Sequence, residues 1–179
     1  WIKLRHGIPY LLSEQSSVYL DGTYQRRGAL FHLVNRWLFS GAASITAVST
    51  WLGERLVELG LCTRYEVVPN VIPGLDRPLP LPGPIGRFMV VADLVDRTKN
   101  VSGVIRALAN VVSRGADARL TIIGDGPDRA TLEALAEHEG ISERITFLGR
   151  LPNTGVLDHL AHTWAVIINS NVETFSVVT

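Results

Sequence analysis

Residues 119–140, RLTIIGDGPDRATLEALAEHEG, contain a strand, a turn and a helix in direct succession. The run from Arg119 to Ile123 predicts a strand that is buried on both faces. The segment Gly124-Asp125-Gly126-Pro127 predicts a tight turn, in which Pro127 suits the first turn of the following helix. That helix is predicted from Asp128 to Glu139 and is closed by Gly140. A βα unit of this kind is typical of α/β proteins with a parallel sheet.

The same alternation continues on both sides of this unit. Short, continuous runs of Val, Ile and Leu predict strands, and segments with helical apolar spacing predict helices. The further strands are Phe88 to Ala92, Ile145 to Leu148 and Ala165 to Ile168, and the further helices are Val101 to Arg114 and Thr154 to His162. Right-handed crossovers between such strands give a doubly wound parallel sheet with helices on both faces.

An earlier set of strands and helices precedes this one. The predicted strands are Ile8 to Ser13, Ile45 to Val48 and Glu66 to Val68. One helix is predicted from Tyr24 to Phe39, and its apolar residues on one face are Leu30, Leu33, Val34, Trp37 and Leu38. A second is predicted from Trp51 to Leu59, with Ser49 as its N-cap. The upstream part is therefore also predicted to be α/β.

The stretch between Pro69 and Gly86 separates the two sets, and it contains six prolines and three glycines. Proline lacks a backbone donor and fixes φ, so this stretch cannot form a sheet core or a helix. We predict the C-terminal part of a first domain at residues 1–72, an interdomain linker at 73–86 and a second domain at 87–179. The chain opens at Trp1 without an initiator methionine, so we expect a truncated start and two incomplete domains.

Bulk composition excludes several classes of protein. Seventeen basic residues balance seventeen acidic ones, so no net field attracts nucleic acid. The hydrophobic share of 46% is that of a globular chain, and no apolar run approaches the ~20 residues of a membrane span. The single Cys62 cannot form an internal disulfide. No Asp-x-Asp pair or histidine cluster has the spacing of metal ligands, so we expect no metal.

Ligands of open parallel sheets bind beyond the C-terminal ends of the strands, which makes the loops after the strands the candidate site. The loop after residues 88–92 carries Arg97 and Lys99, and a lysine beside a helix N-terminus suits a diphosphate. The carboxylate of Glu173 follows the last strand. The turns in between contain Gly124, Gly126 and Gly149. Taken singly, each feature is explained by an ordinary βα turn or a solvated loop.

In combination, these motifs resemble the C-terminal, donor-binding domain of retaining GT-B glycosyltransferases of family GT4. That family has a Lys-containing loop, a Gly-Asp-Gly-Pro turn, a Phe-Leu-Gly turn and a Glu-x-Phe-(Gly/Ser) segment. The four elements stand here at Lys99, 124–127, 147–149 and 173–176. Residues 67–70, Val-Val-Pro-Asn, resemble the Val-x-Pro-Asn with which the family's chain leaves its N-terminal domain.

The resemblance implies a GT-B-like fold of two Rossmann-like domains with the donor bound on the second. It implies catalytic roles for Lys99, at the donor diphosphate, and for Glu173, near the donor sugar and phosphates. It implies further donor contacts by Arg97, Gly124, Gly126, Gly149, Arg150, Leu151, Phe175 and Ser176. The backbone around residues 149–151 is expected to meet the nucleobase.

The sequence departs from the family pattern at three places. Asp93 stands where the family usually has the Arg of Gly-Arg-Leu, so Arg97 substitutes, or diphosphate binding is weaker, or the donor differs. The second Glu of the family's Glu-x7-Glu signature would fall beyond Thr179. Gln15 stands where relatives often have the histidine of Glu-His-Ser, and an amide cannot exchange protons at neutral pH.

The function implied by the resemblance is hexosyltransferase-like transfer of a sugar, with retention, from a nucleotide-diphosphate sugar to a glycan or lipid-linked acceptor. The expected partners are this donor and acceptor, without nucleic acid, in the cytoplasm and with peripheral association at the inner face of the membrane. Two alternatives remain: a sugar-nucleotide epimerase of the same fold, against which the Glu-x-Phe-Ser segment argues, and a non-enzymatic two-domain binding module. Residues 1–179 alone are expected to be inactive and poorly stable.

Overall fold

The computed structural model describes residues 7–71 and 81–174. By their contacts, residues 7–71 and 172–174 form one compact unit, and residues 81–171 form another. Each unit has a parallel sheet and a hydrophobic core of its own.

The sheet of the first unit has the order β1-β2-β3, in which β1 is Leu11–Glu14, β2 is Ser44–Ala47 and β3 is Glu66–Val67. Both pairings are parallel. Helix α1 (Ala29–Gly41) connects β1 to β2, and helix α2 (Thr50–Glu58) connects β2 to β3. Two short 3₁₀ helices, Ser17–Tyr19 and Tyr24–Arg26, precede α1. The predicted α/β alternation is confirmed in this unit.

Two boundaries predicted in this unit are wrong. Strand β1 begins at Leu11 and not at Ile8, and α1 begins at Ala29 and not at Tyr24. Gly28 has an extended backbone and is the N-cap of α1, which separates the helix from the 3₁₀ turn that contains Tyr24. The predicted cap of α2 is confirmed, since the Ser49 hydroxyl accepts a hydrogen bond from the Leu52 amide at 3.3 Å.

The face of α1 that packs against the core is not the face with most of the large aliphatic residues. Phe39 is 3% exposed and Asn35 is 9% exposed. The Tyr19 hydroxyl donates to Asn35 Oδ1 at 2.9 Å, and the Asn35 amide donates to the Phe31 carbonyl at 3.2 Å. The residues predicted to share one face are all exposed in the structure: Leu30, Leu33, Val34, Trp37 and Leu38. An aromatic cluster with a buried amide therefore anchors α1.

The second unit contains four strands and the helices between them. The strands are β4 (Arg87–Val91), β5 (Arg119–Ile123), β6 (Ile145–Gly149) and β7 (Ala165–Val166). The helices are α3 (Asp96–Lys99), α4 (Val101–Ser113), α5 (Arg129–His138) and α6 (Asn153–Leu160), with a 3₁₀ turn at Ser142–Arg144. The fully buried side chains of Leu94, Ile105 and Ile122 lie in one continuous core cluster.

The strand order in this unit is β6-β5-β4-β7, and every pairing is parallel. The predicted parallel sheet is therefore confirmed. Two details differ: β7 is shorter than predicted, and the one-turn helix α3 was missed because its polar sequence has no apolar periodicity. Residues 81–86 of the predicted linker form neither helix nor strand, and residues 73–80 lie outside the described part.

The strand order reverses direction at β4. Strands β5 and β6 follow on one side of β4, and the chain then returns to place β7 on its other side. Such a topological switch point opens a crevice beyond the C-terminal ends of the strands. The loops that leave β4 and β7 are the ones that flank this switch point.

Gly124, directly after β5, allows two loops to approach each other closely. Its φ is +136°, and a Cβ built on it would lie 1.8 Å from the carbonyl oxygen of Ala92. Backbone and not side chain fills the space, so no larger residue fits without separating the loops after β4 and β5. Gly140, after α5, has φ +70° but meets nothing within 4 Å, so it offers a matched comparison.

We expect Gly140→Ala to lower the free energy of unfolding by about 1–2 kcal/mol, the cost of a left-handed alanine. Gly124→Ala should cost about 3 kcal/mol or more, because steric overlap of ~1–3 kcal/mol adds to backbone strain of similar size. The measurement is urea unfolding of the complete gene product followed by circular dichroism. Equal losses in the two variants would show that the close approach at Ala92 does not constrain the fold.

Candidate functional site

The structure places most of the predicted site residues at one edge of the second sheet. Arg97 and Lys99 follow β4, and the Gly124 and Gly126 turn follows β5. Gly149 ends β6, and Arg150 and Leu151 come directly after it. Because the three strands are adjacent and parallel, these loops leave the sheet at the same edge. This edge is the candidate site.

Lys99 is the last residue of the one-turn helix α3 and stands two residues before α4 begins. Asn100 separates the two helices with φ 49° and ψ 43°, and it is the only non-glycine residue with positive φ in the described ranges. The Asp96 amide donates to Asp128 Oδ2 at 2.7 Å, and Asp96 Oδ1 accepts from the Ser102 amide at 2.8 Å. Residues 96–100 form a turn that is called the Lys99 turn below. These two hydrogen bonds fix the start of the Lys99 turn to the loop after β5 and to the first turn of α4.

Backbone hydrogen bonds interlock the loops after β4, β5 and β6. The Leu94 amide donates to the Asp125 carbonyl at 3.0 Å, and the Leu94 carbonyl accepts from the Asp128 amide at 3.1 Å. The Gly124 amide donates to the Gly149 carbonyl at 2.8 Å. A Cβ on Gly126 would come within 2.5 Å of the Leu94 oxygen. Gly124 and Gly126 thus allow the turn after β5 to approach the backbone of the loop after β4 closely.

An ion pair at this edge joins the loop after β4 to the loop after β6. The Arg150 guanidinium lies 2.8 Å from Asp93 Oδ1, and the two side chains are 72% and 66% exposed. Asp93 is the residue that departs from the family pattern, and the pair compensates its negative charge. Sequence reasoning did not find the partner, because the two residues are 57 positions apart and follow different strands.

Arg129 is a further cation at this edge, and sequence reasoning missed it. It begins α5, and its guanidinium donates to Glu133 Oε1 at 2.8 Å and to the Phe147 carbonyl at 3.4 Å. The hydrogen bond that Arg129 donates to Glu133 is the main cause that raises the pKa of Arg129 above its ordinary value. The four-residue spacing of Arg129 and Glu133 on a predicted helix was the available signal.

The loop after β7 returns to the Lys99 turn. The Asn171 amide N–H donates to the Thr98 carbonyl at 2.8 Å, and the Asn171 side chain donates to the Arg97 carbonyl at 3.0 Å. The Asn169 side chain donates to the Asn100 carbonyl at 3.3 Å. The two loops that flank the switch point are therefore in direct contact.

Three predicted residues are not placed in the candidate site by the structure. Glu173 groups by its contacts with the first unit, so its position at the edge of the second sheet stays a prediction. Phe175 and Ser176 lie outside the described residues. Their roles also stay predictions.

Gln15, which stands in place of the family's histidine, lies in the loop directly after β1. Glu14 Oε1 accepts from the amides of Gln15 and Ser16 at 2.9 and 2.8 Å, and the Gln15 side chain is exposed. Burial raises the pKa of the Tyr19 hydroxyl, and the nearby Glu14 raises it further. His32 contacts the Arg27 carbonyl at 3.0 Å and packs edge-on against the Tyr24 ring. His32 thus has a packing role, and His6 lies outside the described residues.

No group of three or more His, Cys, Asp or Glu side chains in residues 7–71 and 81–174 is arranged to hold a metal ion. Within the same ranges, no helix combines the length and apolar character that crossing a membrane requires.

Comparisons with known families match both parts of the chain. Residues 84–179 match the family described as glycosyl transferases group 1, and these residues are more than half of the chain. Residues 1–71 match the glycosyl transferase 4-like domain. The second match contains β1 to β3, and the first contains the candidate site.

One curated relative and two solved structures cover most of the chain. The 2-deoxystreptamine glucosyltransferase of Streptomyces kanamyceticus is 30% identical in an alignment 167 residues long, and the match covers 82% of this chain and 43% of the relative. Sucrose-phosphate synthase from Thermosynechococcus elongatus has a TM-score of 0.72 at 18% identity and covers 98% of this chain and 48% of its own. Anabaena HepE, solved with UDP and glucose, has a TM-score of 0.71 at 14% identity and covers 97% and 50%.

The two structural likenesses show the fold alone, and the chain spans less than half the length of the curated relative. They agree with the two parallel sheets described above, which are those of the GT-B fold. Together with the match over residues 84–179, this shows that the chain belongs to the glycosyl transferases group 1 family, as a GT-B protein of the GT4 type.

Proposed function

We propose that the complete gene product transfers a hexose from a nucleotide-diphosphate sugar to a glycan or lipid-linked acceptor, with retention of the anomeric configuration. The observation that carries this proposal is the meeting of loops at the C-terminal edge of the second sheet. The Lys99 turn after β4 is bonded both to the turn after β5 and to the loop after β7. This is the edge at which open α/β sheets bind ligands.

In this proposal the donor diphosphate lies beside the Lys99 turn. Negative charge develops on the leaving diphosphate, and a preorganised cation stabilises it more strongly than water does. Lys99 supplies that charge, with Arg97 in the same turn. The backbone of Gly149, Arg150 and Leu151 meets the nucleobase, and Gly124 and Gly126 line the donor cleft.

The acidic end of the site is proposed from the resemblance. Glu173 lies near the donor sugar and its phosphates, and Phe175 and Ser176 extend the donor contacts. No metal takes part, because the cationic side chains supply the compensating charge.

Names of similar proteins suggest a first donor to test. One relative is a glucosyltransferase, and HepE was solved with UDP and glucose. We therefore propose UDP-glucose as the first probe among nucleotide-hexoses. A lipid-linked acceptor would place the protein in the cytoplasm with peripheral association at the inner face of the membrane. Residues 1–179 alone are proposed to be inactive.

The role of Lys99 predicts a graded response to substitution in the complete gene product. Lys99→Ala should lower kcat/KM by a factor equivalent to about 2–4 kcal/mol, the range for one preorganised group in the transition state. Lys99→Arg should lose less, because the charge is kept although its geometry changes. The measurement is steady-state sugar transfer, with circular dichroism as the folding control. Full activity in a folded Lys99→Ala variant would contradict the proposed role of Lys99 at the donor diphosphate.

Glu173→Gln should also impair turnover, since the amide keeps the shape of the side chain but removes its charge. We expect a loss in kcat of about tenfold or more, together with an unchanged thermal unfolding midpoint. Glu137→Gln is a suitable control, because Glu137 is an exposed residue of α5 remote from the proposed chemistry. If Glu173→Gln turns over as fast as the wild type and the Glu137→Gln control, Glu173 has no catalytic role.

Chelation tests the absence of a metal requirement. Excess EDTA should leave the rate of sugar transfer unchanged within about twofold, because Lys99 and its neighbours compensate the diphosphate charge. Rates are compared before dialysis, after dialysis against EDTA, and after Mg²⁺ or Mn²⁺ is restored. Loss of activity in EDTA that returns with either ion would contradict a metal-free mechanism.

A further inference from the structure

The loop after β7 holds the Lys99 turn by its backbone carbonyls. Asn171 binds the carbonyls of Arg97 and Thr98, and the Asn169 side chain binds that of Asn100. The three carbonyls belong to residues 97, 98 and 100, which lie on both sides of Lys99 in the sequence. The helix α3 that carries Lys99 has only four residues.

Such a helix has little stability of its own. The last carbonyls of any helix have no partner inside it, and a single turn is far below the length at which a helix is stable. The chain also changes direction at Asn100, which adopts the left-handed conformation between α3 and α4. Contacts from outside must therefore set where this turn lies, and Asn171 provides two of them.

Gly103 leaves the space that this arrangement needs. A Cβ at Gly103, inside α4, would lie 2.8 Å from Asn100 Oδ1 and 2.9 Å from Asn169 Nδ2. Glycine inside a helix costs roughly 1 kcal/mol relative to alanine, so alanine would be favoured if the space were empty. The two amides occupy that space beside the Lys99 turn.

We propose that Asn171 is a positioning residue for Lys99: its side-chain amide holds the Arg97 carbonyl and so sets the place of the Lys99 ammonium group against a nucleoside diphosphate. This inference rests on the proposed donor site. Glu173 follows Asn171 by two residues. One loop therefore carries both the support of Lys99 and the second proposed catalytic residue.

The test compares nucleotides that differ only in the phosphate that Lys99 is proposed to contact. Binding of UDP and UMP to the complete gene product is measured by isothermal titration calorimetry, with GDP, ADP and dTDP as alternatives if one binds more tightly than UDP. Asn171→Ala should weaken UDP binding about tenfold, the order of one hydrogen bond, and change UMP binding less than twofold. Asn171→Gln, which retains an amide donor, should recover part of the loss.

Two further variants separate positioning from general loss of structure. Asn110→Ala, at an exposed position of α4, should leave both affinities unchanged. Gly103→Ala displaces the amides without touching Asn171 and should again weaken UDP selectively. In the Lys99→Ala background, Asn171→Ala should have no further effect on UDP binding, because it acts through Lys99.

The results distinguish this inference from the proposed function. If the wild-type protein binds none of the nucleoside diphosphates, the donor site itself is wrong and the inference falls with it. If the wild type binds one of them but Asn171→Ala weakens diphosphate and monophosphate equally, or acts undiminished without Lys99, only the positioning role is overturned.

Discussion

The backbone of Leu94 joins the loops after β4 and β5 at the candidate site, and the position of the Lys99 turn depends on this link. Its side chain is fully buried, while its amide and carbonyl both bind the turn after β5. That turn supplies the Asp128 carboxylate, which accepts from the amide of Asp96 where α3 begins. A short series of hydrogen bonds therefore connects the backbone of Lys99 to the sheet and fixes its position. Buried backbone groups that lose such partners cost ~1–3 kcal/mol each.

Charge at the site edge is arranged separately from this backbone framework. The pair between Asp93 and Arg150 is exposed, and such pairs contribute about 0–1 kcal/mol to stability. Its consequence is electrostatic: the carboxylate beside the Lys99 loop is compensated by a guanidinium from the loop after β6. A diphosphate that approached this edge would meet a neutralised Asp93 and not an isolated negative charge.

The sequence was sufficient for the order of elements, because continuous apolar runs such as 119–123 have few alternatives to a buried parallel strand. It also predicted the Ser49 cap, which is a local interaction. It misjudged α1, where the buried Asn35 and Phe39 pack against aromatic residues that precede the helix, and periodicity ranked the exposed leucines above them. The contacts of Asn171 and Arg150 join residues far apart in the chain, and no single-sequence pattern encodes them. The loops of the candidate site followed from the rule that open parallel sheets bind ligands beyond the C-terminal ends of their strands, and the resemblance supplied the roles of the residues in them.

The central claim is that a nucleoside diphosphate binds at the C-terminal edge of the second sheet. Hydrogen–deuterium exchange of the complete gene product, with and without the tightest-binding of UDP, GDP, ADP and dTDP, tests it most directly. The account predicts slower exchange in peptides that cover residues 92–100, 124–129 and 149–152. Peptides at the opposite edge of the same sheet, around 84–87, 116–119 and 141–145, should be unchanged. Protection confined to that opposite edge, or no protection at either edge under saturating nucleotide, would contradict the account.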